Sequence, residues 1–527
     1  MTTLRFRALR RAGCIAAVAG AILSMAAYGG AGAGARTART AATVDPEAVL
    51  RYGTDFEMGI GPTLDPAKYN STISNIVGAT IYGTMMRPTP DGPVGDLATA
   101  WEFPDEQTVV LTLREGVTFH DGTPFNAEAV KYAWDRIIDT PTGQGGMVKI
   151  AAIAAMESVE VLGEYEVQVN LSAPVAGDWR DRVLLQASSG LGVPSMKALQ
   201  EQGDAYGDHP VGAGAFEFVS YEPGQQITLR RYADYWDSEH FQLGGVEIVQ
   251  VANGAPRVTA LASGAVDVAM ITPAEVGSVE AQRFEIIESY TPINTSQHIQ
   301  FCPSKPPFDT PEAREAIALA INPVEIVASV FQGHARPTRL YAPSDAPFYP
   351  ADLEDEIQYD PDRARQLLAD AGVAEGTSVS LMVATTPVQV ATAEVIQGQL
   401  EDVGLDVEIV QSQNVFVDAE AQQPNMTISG NFAMYSMVAY LVNPGVGNFC
   451  DFDEADVAEA FTRTRQASSS EEEITQAQHD LQEALFTEFP NAAFAQVPVL
   501  EAQTGNVHGL YTIDGSGPWL ADVTITS

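Results

Sequence analysis

The sequence predicts an α/β fold spread over two or three domains, and three observations lead there. The first is a strand–helix–strand unit: β-branched runs at 379–384 and 405–410 flank a helical stretch at 388–403 that Gly404 closes. Strands joined by such a crossover lie parallel and need helices to cover them. The second is the alternation of further β-rich runs with capped, amphipathic helices along the chain. The third is length, since 527 residues exceed what one hydrophobic core usually supports.

Taken in order, the elements begin after a distinct N-terminal unit. Arg5, Arg7, Arg10 and Arg11 precede an uncharged apolar run at 12–27, and small residues follow to Ala35. This is the pattern of a cleaved secretory signal over 1–35, because the run is short for a spanning helix. A flexible leader is expected over 36–44. The run ends Leu23-Ser24-Met25-Ala26-Ala27-Tyr28, which is similar to a bacterial lipoprotein box with Tyr28 in place of the acylated cysteine. The expectation is therefore an exported protein, extracellular or periplasmic, with association at the cell surface as the alternative and no thiol there to anchor it.

Farther along, 108–113 reads as a strand. Asn126 can cap the helix behind it, on which Val130, Trp134, Ile137 and Ile138 share one face. Thr310-Pro311, Asn322-Pro323 and Asp360-Pro361 each place a capping side chain before a proline suited to the first helical turn. Gly333 and Gly372 mark helix ends. Ser470 and Glu473 form a capping box ahead of Ile474, Ala477, Leu481 and Leu485. Cys302 and Cys450 are the cysteines that remain beyond the signal. In an oxidising compartment they are a disulfide candidate, with two buried free thiols as the other reading. A loop of that length would contribute roughly 4–5 kcal/mol in the chain-entropy picture.

Composition excludes some partners. With 69 acidic against 28 basic residues, the formal charge is −41. Such a chain repels phosphate backbones and anionic lipid headgroups, so nucleic acid is not an expected partner. No Gly-x-Ser-x-Gly, no His-Glu-x-x-His and no Cys/His cluster with zinc spacing occurs. No catalytic residue, metal site or cofactor is predicted. Paired carboxylates for glycoside cleavage stay open in so acidic a chain, and a secreted hydrolase is the alternative from another class.

Several stretches together resemble the peptide- and nickel-type family (family 5) of ABC-transporter solute-binding proteins. They are Thr63-Leu64-Asp65-Pro66; Asp96-Leu97-Ala98 with Trp101-Glu102-Phe103; and Leu111 through Arg114, His120-Asp121-Gly122 and Phe125 to Val130. Gly212-Ala213-Gly214-Ala215-Phe216 with Tyr232 to Trp236, then Lys305 to Asp309 with Arg314, then Tyr359-Asp360-Pro361 to Gly372, complete the set. The resemblance implies a periplasmic-binding-protein-like, class II type architecture: two lobes, an additional inserted domain, and a ligand cleft between the lobes. One lobe would comprise 45–87, 209–298 and 496–527, the insert 88–208, and the α/β lobe 299–495. It also implies a non-enzymatic monomer that closes on a hinge around a short-peptide or small-molecule ligand and meets the membrane permease of an ABC importer. Within the motifs, His120 reads as a turn residue, and Arg114 is expected to pair with a carboxylate on the sheet.

Ligand contacts follow from the same resemblance. In peptide-binding relatives a segment before an Asp-Pro carries an aromatic wall and an acidic residue that grips the peptide amine. The matching stretch here runs from Asn431 to Pro444, with Tyr440 where that acid would stand and Asn443 in place of the Asp. No Lys or Arg occurs from Gln366 to Thr462, which removes a cationic anchor for a peptide carboxylate. Phe432, Met434, Tyr435, Met437 and Tyr440 suggest an apolar, aromatic pocket, with Asn443 beside it. Tyr69, Asn70 and Ser71 form a second candidate wall. Short peptides are the leading ligand class, and a neutral or cationic glycoside or amine is the alternative.

Overall fold

The computed structural model describes residues 43–527 apart from 56–62, 69–71, 88, 90–93, 140–154, 180–182, 185–190, 253, 291–295, 342–348, 355–357, 433–437, 439–453, 467–470, 490 and 513–517. Two large sheets organise these residues. The first has seven strands, in the order Glu285–Ser289, Val499–Gln503, Val268–Ile271, Val49–Thr54, Gly245–Gln250, Gln226–Arg231 and Phe216–Glu222. Its centre is parallel: Val49–Thr54 runs alongside both Gly245–Gln250 and Val268–Ile271.

The second sheet has six strands, in the order Arg336–Pro337, Asn491–Gln496, Ser296–Phe301, Met426–Phe432, Thr377–Ala384 and Leu405–Ser412. The strand–helix–strand unit expected from the sequence is here. Thr377–Ala384 and Leu405–Ser412 pair in parallel, Thr377 beside Leu405 through Ala384 beside Ser412. The helix Pro387–Asp402 crosses between them, capped by Thr386 Oγ1, which accepts from the Gln389 N–H. Gly404 turns the chain at φ +95, a region that costs a β-carbon.

A third, four-stranded antiparallel sheet (Ala98–Asp105, Thr108–Leu113, Glu166–Leu171, Met156–Gly163) carries the helix Ala127–Asp139 against it. Val130, Trp134 and Ile137 are buried as their spacing requires. The Ala129 N–H donates to Asn126 Oδ1 at 3.1 Å, which is the expected cap. One continuous apolar cluster joins this sheet to the seven-stranded one, running from Leu50 and Tyr52 through Leu111, Trp134 and Val169 to Phe216 and Val246. A separate cluster fills the space between the six-stranded sheet and its helices, with Ile299, Ile317, Leu368, Leu381 and Ile396 at its centre. Two cores on two sheets are what a two-lobed molecule requires.

The family-like motifs do structural work. His120 is half-buried and its ring bridges the glycine motif: Nε2 donates to the Gly214 carbonyl at 3.0 Å and Nδ1 accepts from the Gly212 N–H at 3.4 Å. Burial pushes its pKa down. Gly212 and Gly214 let the backbone approach the end of the helix Thr72–Tyr82, where a β-carbon would stand 2.2 Å from the Ile81 oxygen or 2.5 Å from the Thr80 oxygen. The expectation for Arg114 is corrected. Its guanidinium donates to the backbone carbonyls of Asp96 (2.7 Å) and Gly95 (3.2 Å) and stacks 3.6 Å above the Trp236 ring. A flat cation beside an indole face is held by the ring's quadrupole and needs no carboxylate.

The caps at Thr310, Asn322 and Asp360 form as the sequence predicts, each side chain accepting from the N–H three residues on. The capping box begins at Ser470, outside the described residues; the helix behind it is Glu471–Glu488. Among the described residues no helix is long and apolar enough to cross a membrane. The signal, with Tyr28, and the leader up to Ala42 also lie outside them, whereas Thr43 and Val44, expected in the flexible leader, are held by the last residues: the Ser527 N–H donates to the Thr43 carbonyl at 2.9 Å and Val44 bridges Thr526.

Candidate functional site

The two lobes are joined where strands of one sheet run on into the other. Glu285–Ser289 of the seven-stranded sheet leads through Tyr290 toward Ser296–Phe301 of the six-stranded sheet. Asn491–Gln496 leads back through Val497 and Pro498 to Val499–Gln503. A second contact between the lobes comes from the helix Ala455–Gln466, which packs on Ala176–Asp178 of the inserted region. The space bounded by these junctions is the candidate cleft.

Phe432 is the last residue of its strand and lies opposite Ser296, the first residue after the first crossing. This puts the start of the expected aromatic segment at the hinge. Met434, Tyr435, Met437, Tyr440 and Asn443 lie outside the described residues, as do Tyr69, Asn70 and Ser71. Cys302 is disulfide-bonded; Cys450, its expected partner, also lies outside them.

What is described is the frame around these segments. Ahead of Tyr69, the buried Asp65 takes both guanidinium ends of Arg136 from the helix Ala127–Asp139, one at 2.6 Å, and also accepts from the Ala67 N–H at 3.1 Å. Tyr82 donates its hydroxyl to the Leu64 carbonyl at 2.7 Å. The segment is thus tied to the inserted region, and the Asp65 carboxylate is occupied by its own arginine instead of facing a ligand.

On the α/β side, the strand leaving the hinge begins Ser296-Gln297-His298, all three buried. The Gln389 amide donates to Gln297 Oε1 at 3.0 Å, and the Ser296 hydroxyl has no hydrogen-bond partner among the described residues. The buried His298 ring meets Tyr341 edge-on at 5.9 Å. Burial pushes its pKa down to about 3, so it is neutral at any ordinary pH. The buried groups here are amides, a hydroxyl and a neutral imidazole, none of them charged.

On the other side, Glu501 lies fully buried in the middle of Val499–Gln503. It accepts from the Tyr52 hydroxyl at 3.1 Å and from Thr512 Oγ1 at 3.3 Å. Burial pushes its pKa up to about 7. Sequence reading passed over Glu501 and His298. The available signal was an ionisable residue inside a β-rich run, Val499-Leu500-Glu501-Ala502 and Ser296-Gln297-His298-Ile299. Among the described residues, His479, Asp480 and Glu483 bring metal-type ligand atoms close together on the helix Glu471–Glu488, and Asp480 also takes Arg463 at 2.9 Å.

Comparison with known proteins gives three results. The profile of the bacterial extracellular solute-binding proteins, family 5 (middle region), matches residues 92–451. A glutathione-binding protein of Salmonella typhi is 28% identical over 337 residues, 64% of this chain and 63% of the relative's own length. Among solved structures, a periplasmic binding protein of A. tumefaciens R10 in complex with agropinic acid superimposes with a TM-score of 0.76 at 22% identity, covering 91% of this chain and 99% of that one. A Helicobacter pylori ABC-transporter-associated periplasmic binding protein in complex with the peptide STSA gives 0.76 at 20%, covering 92% and 99%.

Proposed function

Because the chain belongs to the bacterial extracellular solute-binding proteins of family 5, we propose that it captures a small solute between its lobes and delivers it to the permease of an ABC importer. The observation that carries this reading is the pair of strand crossings between two separately cored sheets. Such a joint lets two lobes close on a ligand by hinge motion. The ligand acts by preferring the closed form, and the closed form is what the permease meets. No bond is made or broken, the protein works outside the cytoplasmic membrane after export, and it acts as a monomer.

Short peptides are the proposed ligand class, in keeping with the glutathione- and peptide-binding relatives. A second reading, a neutral or cationic non-peptide, is favoured by one specific observation. No Lys or Arg occurs from Gln366 to Thr462, and the buried groups beside the hinge in that lobe are uncharged. On either reading Phe432, Met434, Tyr435, Met437, Tyr440 and Asn443 are the proposed aromatic and apolar wall, and Tyr69, Asn70 and Ser71 the proposed second wall. The proposed lobe boundaries are those expected from the sequence, except that Ser296–His298 and Gln496 pair within the six-stranded sheet and go with the α/β lobe. A disulfide between Cys302 and Cys450 is proposed as part of the α/β lobe.

Titration calorimetry with di- and tripeptides, free and with acetylated and amidated ends, tests the ligand class. Binding that survives blocking is expected, since charged anchors for the two termini are missing from the matching segment. Tight binding of free peptides that blocking abolishes would overturn that expectation.

A further inference from the structure

The segment between the helix Pro323–Ser329 and Arg339 touches both crossings between the lobes. Gln332 and Gly333 take consecutive left-handed conformations, φ +52 and +86, and turn the chain back on itself. The strand Arg336–Pro337 then pairs with Gln496 and Ala495, the last residues before the second crossing. From the same segment His334 Nδ1 meets Glu288 Oε1 at 2.7 Å, and the Arg336 guanidinium lies 3.8 Å above the Tyr290 ring. Glu288 and Tyr290 belong to the first crossing, on the edge strand of the seven-stranded sheet. One short segment of the α/β lobe therefore holds its own sheet by backbone pairing and the other lobe by two side chains.

We propose that residues 331–337 are a strap that biases the molecule toward the state in which its lobes meet, His334 and Arg336 being its grip on the opposite lobe. The proposal rests on the solute-binding reading, because a strap matters only if the cleft opens and closes. The second crossing, Gln496-Val497-Pro498-Val499, carries no charge. It offers nothing to replace a lost grip. In the present structure the lobes also touch at the helix Ala455–Gln466, so the grip is made in the state it would favour. A half-exposed histidine–carboxylate pair and a cation–π contact are each modest. Together they change an open-to-closed ratio by roughly three- to tenfold. That range suits a protein that must both close and release.

The test uses the full mature chain with spin labels at Leu162→Cys in the inserted region and Val324→Cys in the α/β lobe, both exposed positions (48% and 65%). Cys302 is already disulfide-bonded and does not compete for label. Inter-label distance distributions are compared between the labelled parent and the His334→Ala/Arg336→Ala variant, with circular dichroism confirming that both fold. The expected result is a shorter-distance population in the parent that falls three- to tenfold in the variant. Should the double variant not fold, Glu288→Gln, which removes only the charge facing His334, is expected to move the same population in the same direction. Two populations in identical proportion in parent and variant would overturn the strap and leave the binding reading standing. A single unchanging distance in both, whatever extract is added, would overturn the strap and also count against closure on a hinge.

Discussion

Glu501 and His298 stand on different sheets, and their titrations pull stability in opposite directions. The Glu501 carboxyl is raised by burial from an ordinary 4.5 to about 7. Its contribution is therefore full below pH 4.5 and is lost as pH rises through 7, up to about 3 kcal/mol. The His298 imidazole is lowered by burial from 6.5 to about 3, so its contribution is full above 6.5 and is lost as pH falls toward 3. Between 4.5 and 6.5 the two slopes cancel. Melting temperatures measured from pH 4 to pH 8 should show this in single variants. In Glu501→Gln, stability should rise with pH where the parent is flat; in His298→Phe, it should fall with pH. Parallel curves for parent and both variants would show that neither group titrates as its burial requires. A third side chain carries a larger cost. Asp65→Asn removes the charge that two contacts now set against the Arg136 guanidinium, and chemical denaturation should report a loss of about 3 kcal/mol.

Local signals in the sequence translate well into elements. Thr310, Asn322 and Asp360 each cap the helix behind them, because a cap depends on a side chain and an amide three residues apart. The parallel pair around Pro387–Asp402 was legible for the same reason: turn glycine, helix length and strand composition are all local. What was not legible depends on distance along the chain. Glu501 finds Tyr52 across a separation of 449 residues, and nothing near Glu501 announces a partner there. Arg114 was expected to seek a carboxylate, but its place beside Trp236 is set by how two domains pack. The glycine motif illustrates both sides. Gly212 and Gly214 were readable as a family signature, while their reason, contact with the carboxyl end of Thr72–Tyr82, is tertiary. Gly212→Ala would force a β-carbon to 2.2 Å from the Ile81 oxygen and should destabilise by about 3 kcal/mol or more on thermal unfolding. A variant as stable as the parent would mean that the backbone there can yield.

At the scale of the molecule, the inserted region shares an apolar cluster with the seven-stranded sheet, so the two should move as one body against the six-stranded sheet. Phe432 ends its strand at the hinge, opposite Ser296, and Asp65 and Arg136 tie down the segment ahead of Tyr69 on the other body. Capture of a small solute without chemistry is checked by native mass spectrometry of the mature protein, gently isolated from cells that export it. The expected spectrum shows the protein carrying one small molecule per chain, released unaltered on denaturation and identifiable as a short peptide or a single non-peptide compound. A bare protein that stays bare after incubation with peptide mixtures and medium extract, or one that returns its added solute chemically changed, would contradict it.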